Sequence, residues 1–158
     1  AVLMTIGAMF ASIPAFALEE FRTTETRTFD VGSNPDVLIE AISGDVSYTA
    51  IEGTTASVEI VTVIRAKNEE EAAKIGEKLR VTVTGESGYL EAHIDKPDRF
   101  HDWLRRTFGR NRDISVSFLV KGPRDAEAAL SSVSGEVEAS GLTGVLEAES
   151  VSGNVRVD

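Results

Sequence analysis

The chain has 158 residues, with 26 Asp and Glu against 16 Lys and Arg, so its formal net charge is −10. It holds no cysteine and two histidines, which excludes a disulfide framework, a thiol nucleophile and a cysteine-ligated metal, and leaves few residues for histidine chemistry. The length fits one domain, and the acidic balance argues against nucleic acid as the main partner, because phosphate binding needs basic surface.

Residues 1–17 are uncharged and mostly apolar, and they end in Ala15-Phe16-Ala17 before the polar Glu19 and Glu20. A short apolar run closed by a small–large–small triad reads as the core and cleavage site of a secretory signal peptide. A membrane-spanning helix would need about 20 apolar residues, and Pro14 sits inside this one. The basic start of such a leader is missing, so the expectation is an N-terminally truncated sequence. The mature chain would be 18–158, exported to the periplasm, the outer surface or the medium. Without cysteine it must be held by packing alone.

Alternation then dominates. Val37, Ile39 and Ala41 alternate with Leu38 and Glu40, and Val46 and Tyr48 with Ser47 and Thr49. From Ala56 to Ile64 both faces are apolar, as in a strand covered on two sides. One helix is expected at about 69–79: Asn68 can cap it, Glu69, Glu70 and Glu71 sit at its positive end, and Ala72, Ile75 and Leu79 form its apolar stripe. Val81–Val83 and Tyr89–Ile94 flank Gly85-Glu86-Ser87-Gly88, a hairpin signal. Ile114 to Val120 is another strand, closed by Gly122-Pro123.

Residues 96–112 are a local exception to the acidic balance. Lys96, Arg99, Arg105, Arg106, Arg110 and Arg112 stand against Asp98 and Asp102, six minus two, or +4. Phe100, Trp103, Leu104 and Phe108 fall on one face of a short helix. A basic amphipathic helix of this kind can lie on an anionic membrane or lipopolysaccharide surface, which makes Arg99, Phe100, Trp103, Arg105, Arg106, Phe108 and Arg110 candidate contact residues. The competing reading is a connector whose apolar face packs on the sheet while its arginines reach solvent.

The last stretch, 126–158, repeats every nine residues: Ser134-Gly135-Glu136-Val137-Glu138-Ala139, Thr143-Gly144-Val145-Leu146-Glu147-Ala148 and Ser152-Gly153-Asn154-Val155-Arg156-Val157. A worn copy precedes them at Ala128 and Leu130, and the register recurs upstream as Ile42-Ser43-Gly44-Asp45-Val46. Gly44, Gly135, Gly144 and Gly153 fit corners where a side chain would clash, and Val137, Leu146 and Val155 fit inward positions. A fixed short period predicts a stacked β-solenoid with two units, or eighteen residues, per turn. Glu138 would then lie beside Arg156, a cross-strand pair worth a few tenths of a kcal/mol.

These features together resemble the bacterial auto-transporter adhesin-like β-strand-repeat family: an exported leader, Ser-Gly-Asp-Val at Ser43–Val46, a Glu/Ala/Lys helix, a strand ending at Pro123, and Ser-Gly-x-Val repeats. The resemblance implies a parallel β-helix-like domain, termed an adhesin and without a catalytic residue. The expected fold is therefore all-β, a parallel β-helix or β-roll-like solenoid with one covering helix and a C-terminus truncated inside a repeat. The expected function is a non-catalytic, adhesin-like or structural domain of the cell envelope. Its partners would be a cell-surface glycan, lipopolysaccharide or an envelope protein, with no cofactor. Two alternatives stand beside it, a polysaccharide-active β-helix enzyme and a membrane-surface-associated envelope domain. For the enzyme, no carboxylate pair is singled out by spacing, and His93, His101, Ser43, Ser134 and Ser152 have no marked partner. A calcium ladder is not expected, because carboxylates do not recur at the turns.

Overall fold

The computed structural model describes all residues except 1, 6–16, 96–97 and 110–111, and the backbone alone of 2–5. Most of the leader expected at 1–17 thus lies outside the described residues, as do Lys96 and Arg110 of the basic segment. The elements run in the order β1 (Val2–Thr5), β2 (Glu19–Asp30), β3 (Asp36–Ser43), β4 (Val46–Ile51), β5 (Thr55–Ala66), α1 (Glu69–Glu77), β6 (Arg80–Glu86), β7 (Tyr89–Asp95), α2 (Phe100–Phe108), β8 (Asp113–Pro123), β9 (Glu127–Ser134), β10 (Val137–Ser140), β11 (Leu146–Ser152) and β12 (Val155–Val157).

They form two mixed sheets packed face to face. One has the order β1-β2-β5-β8-β4-β10-β12, six strands from residue 19 onward with β1 at its edge, and the other the order β11-β9-β3-β7-β6. The buried members of the alternating patterns meet between them: Val46, Tyr48, Val58, Ile60, Phe118 and Val120 from the first sheet, Val37, Ile39, Leu90, Ala92 and Leu130 from the second. Val61 and Val63, on the other face of β5, are only half-buried.

The solenoid expected from the repeat is not what the chain forms. β1, β2, β5 and β8 pair antiparallel, as do β6 and β7, and beside the one covering helix expected a second helix forms in the basic segment, where the aromatic spacing reads as a short helix. The physical reason lies in β2 and β5, each 12 residues long, which pair along their whole length and are too long for a nine-residue unit. The repeat governs a smaller part of the molecule. There β9, β10, β11 and β12 alternate between the sheets, so that Val137 stands beside Val155 and Ala128 beside Leu146, both offsets of eighteen. β3 and β4 enter the same parallel sets, Val37 beside Ala128 and Val46 beside Val137.

The helix beginning at Glu69 forms as expected. Asn68 accepts a 2.8 Å hydrogen bond from the Glu71 N–H, and Glu71 in turn accepts one of 2.6 Å from the Lys67 N–H, a reciprocal cap. Ala72 and Ile75 are buried, and the helix packs on β5 with Gly76 facing the Ile64 side chain. The second helix joins the same end of the molecule. Lys78 sits 5.7 Å above the Trp103 ring, and Arg112, just after α2, binds Glu71 at 2.9 and 3.1 Å. The two side chains are largely shielded from solvent, 5% and 11% exposed.

Candidate functional site

The corner glycines of the repeat stand in one column. A Cβ on Gly44 would fall within 3.0 Å of the Val116 carbonyl, one on Gly135 would meet the Gly44 carbonyl, and one on Gly153 the Gly135 carbonyl. Only glycine allows neighbouring backbones this close. Gly144 occupies the opposite corner in the same way, against the Ala126 carbonyl. Ser132 Oγ donates to the Gly44 carbonyl and Ser150 Oγ to that of Gly135, each at 2.8 Å. The residue after each glycine continues the column sideways. Asp45 Oδ1 accepts from the Glu136 N–H at 2.9 Å, and Asn154 Nδ2 donates to Glu136 Oε1 at 3.3 Å.

Val137 is fully buried and Leu146 half-buried, whereas Val155 is exposed. The outward side chains of β10 and β12 alternate with them. Arg156 Nη1 lies 3.9 Å from Glu138 Oε1, in the register expected from the repeat. Glu136, Glu138, Asn154 and Arg156, with Val137 and Val155, line a shallow depression of about 280 Å³. It offers carboxylate acceptors, an amide and a guanidinium within a few ångströms, a set suited to hydroxyl groups and to amides.

The structure separates the basic segment's two faces. Phe100 and Leu104 are buried in the core, and Trp103 and Phe108 pack partly against it, with ring centroids of Trp103 at 5.6 Å from Phe100 and 5.5 Å from Phe108. Arg99, Arg105 and Arg106 are exposed, and Arg105 pairs with Asp102 at 3.4 Å. Phe100 and Leu104 are therefore spent on the protein's own interior, while Trp103 and Phe108 keep part of their surface exposed. Arg110 lies outside the described residues.

His93, which has no marked partner in the sequence, is not isolated in the fold. It stands on the outer face of β7 between Glu91 and Asp95, its Nδ1 at 3.1 Å from Glu91 Oε1 and its Nε2 at 3.3 Å from Asp95 Oδ1. Nδ1 is buried yet not aligned for a hydrogen bond. Tyr89 OH donates to Glu91 at 2.5 Å and Thr82 Oγ1 to Asp95 at 3.1 Å, so five polar side chains run in one chain across the hairpin. The spacing i, i+2, i+4 along a strand was the available signal, since it puts Glu91, His93 and Asp95 on one face. Among the described residues no three His, Asp or Glu side chains converge as a metal ion requires.

The sequence matches no family model and no curated protein. Among solved structures, the chain is similar to a "putative adhesin" from Bacteroides fragilis, with a TM-score of 0.45 and 16% identity over 85% of this chain and 52% of that one. It is also similar to a "putative lipid binding protein" from Parabacteroides distasonis, with a TM-score of 0.27 and 13% identity over 85% of this chain and 51% of that one. The chain spans about half the length of both structures.

Proposed function

We propose that this chain is an exported, non-catalytic, adhesin-like domain of the bacterial cell envelope that binds a cell-surface glycan. The observation that carries this reading is the polar row on the outer face of β10 and β12, where Glu136, Glu138, Asn154 and Arg156 surround an open depression. Glycan hydroxyls are both donors and acceptors, and a row of carboxylates with an amide and a guanidinium meets both needs. Hydrogen-bonded strands fix the backbone that carries these groups, and the Glu138–Arg156 and Asn154–Glu136 contacts hold them near one another, which lowers the ordering cost of binding.

The reading is tested by measuring wild type and the Glu138→Ala/Arg156→Ala variant against a panel of envelope polysaccharides and lipopolysaccharides. Saturable binding to at least one glycan, weakened roughly tenfold or more in the variant, is expected. Binding that ignores both substitutions overturns the proposed site, and turnover of the glycan overturns the non-catalytic assignment in favour of a polysaccharide-active enzyme.

A further inference from the structure

β6, a strand from the middle of the sequence, lies at the edge of its sheet on the side away from β11. Asp36 N donates to Gly88 O, so by alternation Gly88, Leu90 and Ala92 face β3, and Tyr89, Glu91, His93 and Asp95 face β6. Their partners on β6 are Glu86, Thr84, Thr82 and Arg80, which leaves the N–H and C=O of Val81, Val83 and Gly85 pointing to the far side. Among the described residues no strand pairs with β6 there. Sheet edges are usually blunted by proline, a bulge or an inward charge. β6 has none of these. Its register with β7 is unbroken, and its inward residues are the half-buried Val81, Val83 and Gly85, the last lying against Phe29 of β2. The charges stand at its two ends, where Arg80 and Glu86 are exposed and neither forms an ion pair with a described residue.

We infer that this edge is an interface for β6 of a second copy of the chain, paired antiparallel about Val83. The strand is its own complement in that register. Val83 meets Val83 of the second copy, Val81 meets Gly85, Thr82 meets Thr84, and Arg80 meets Glu86. Every free N–H and C=O of the edge then gains a partner, and each unmatched charge meets its opposite. Registers shifted to either side shorten the ladder and take Arg80 away from Glu86. On the outer face one row would read Asp95 and Arg80 of one copy, then Glu86 and Tyr89 of the other, so that carboxylate, guanidinium and carboxylate alternate. On the inner face the half-buried valines of the two copies cover one another. Such a seam is small beside those of permanent oligomers, so a weak, reversible dimer is expected. β1 extends the other sheet past β2 on this same side. It belongs to the segment expected to leave as a leader, so the pairing is assigned to the chain from Leu18 onward. The polar row on β10 and β12 lies at the opposite side of the sheets, and the seam stands or falls without it.

The test uses residues 18–158, which hold every described residue of the hydrophobic core, so its outcome is independent of the export reading. Sedimentation equilibrium measures the association of this chain and of its Arg80→Glu and Glu86→Arg variants, with thermal melts to show that each is folded. Both substitutions are exposed and leave the core untouched. A reversible dimer is expected, weakened roughly tenfold or more by either change. The register makes a stricter demand on an equal mixture of the two variants. There every juxtaposition is again of opposite charge, so native mass spectrometry should show the heterodimer favoured over both homodimers. A wild-type chain that stays monomeric at millimolar concentration overturns the inference. So does a dimer that neither substitution weakens, or a mixture without preference for the heterodimer.

Discussion

Ser132 Oγ donates a 2.8 Å hydrogen bond to the carbonyl of Gly44, a residue 88 positions earlier in the chain. Ser132 is 2% exposed, so it is a polar group inside the core whose partner is fixed by the stacking of two corners. Replacing it with alanine leaves the Gly44 carbonyl without this donor. Ser132→Ala should lower stability by about 1–2 kcal/mol, read from urea unfolding. Ser150→Ala removes the equivalent bond at a partly buried position and should cost about half as much. Equal costs at the two sites would remove burial as the explanation.

The glycine column makes a steeper prediction. Gly135→Ala drives a methyl group into the Gly44 backbone, which cannot rotate away as a side chain could. We expect a loss of about 2–3 kcal/mol, from overpacking and from strain in both ladders. Ser134→Ala, one residue earlier and exposed, should stay within about 0.5 kcal/mol of wild type in the same melting experiment.

The Glu71–Arg112 pair gives the fold an acid limit. Burial raises the Glu71 carboxyl, but hydrogen bonds from Arg112 and the Lys67 N–H outweigh it and hold the group below the usual glutamate range. A carboxylate lowered in the folded state contributes stability above its unfolded value of about 4.3, and that stability is lost as pH falls through the folded value. Glu71→Gln should therefore cost about 2 kcal/mol at pH 7. The difference from wild type should shrink as the pH is taken below 4, as followed by thermal melts across a pH series.

Tyr48 sets the opposite limit. Burial pushes its hydroxyl well above the ordinary tyrosine range, and the Asp125 charge adds to the shift. The neutral hydroxyl donates to the Pro123 carbonyl at 2.8 Å. Because the folded value is raised, this contribution is intact below the unfolded value of about 10 and declines as pH rises beyond it. Tyr48→Phe should be about 1 kcal/mol less stable than wild type at pH 7, with the gap closing in melts above pH 10. A gap that stays constant through pH 11 would argue against a buried, protonated Tyr48.

The parts of this fold that were legible in the sequence are those written in local chemistry. Asn68 with Glu71 marks a helix start, Ser87-Gly88 a hairpin, and Ser-Gly steps of nine a set of corners whose offset puts Glu138 beside Arg156. Strand partners were not legible. Alternation tells which face of a strand is buried, but β2 reads Glu-Glu-Phe-Arg-Thr-Thr-Glu-Thr-Arg-Thr-Phe-Asp, with few apolar residues to betray it, and its pairing with β5 turns that half of the sheet antiparallel. The repeat was therefore carried across regions it does not govern. At the polar row, the Glu138–Arg156 juxtaposition followed from the register, whereas the depression around it required the twist and spacing of the real sheet. The chain of groups around His93 was visible only if period two had been applied to polar residues as it was to apolar ones.

The glycine column also constrains how the molecule can be assembled. β4 lies between β8 and β10, and β3 between β7 and β9, so the segment from Asp36 to Ile51 has no finished neighbour until strands made much later arrive. Its corner cannot close on Ser132 and Gly135 before at least eighty further residues are available. Contacts of such sequence separation make folding slow and leave strand edges open meanwhile. β3 and β4 must therefore wait, each unpaired along one side, for the repeat strands β9 and β10 that complete them.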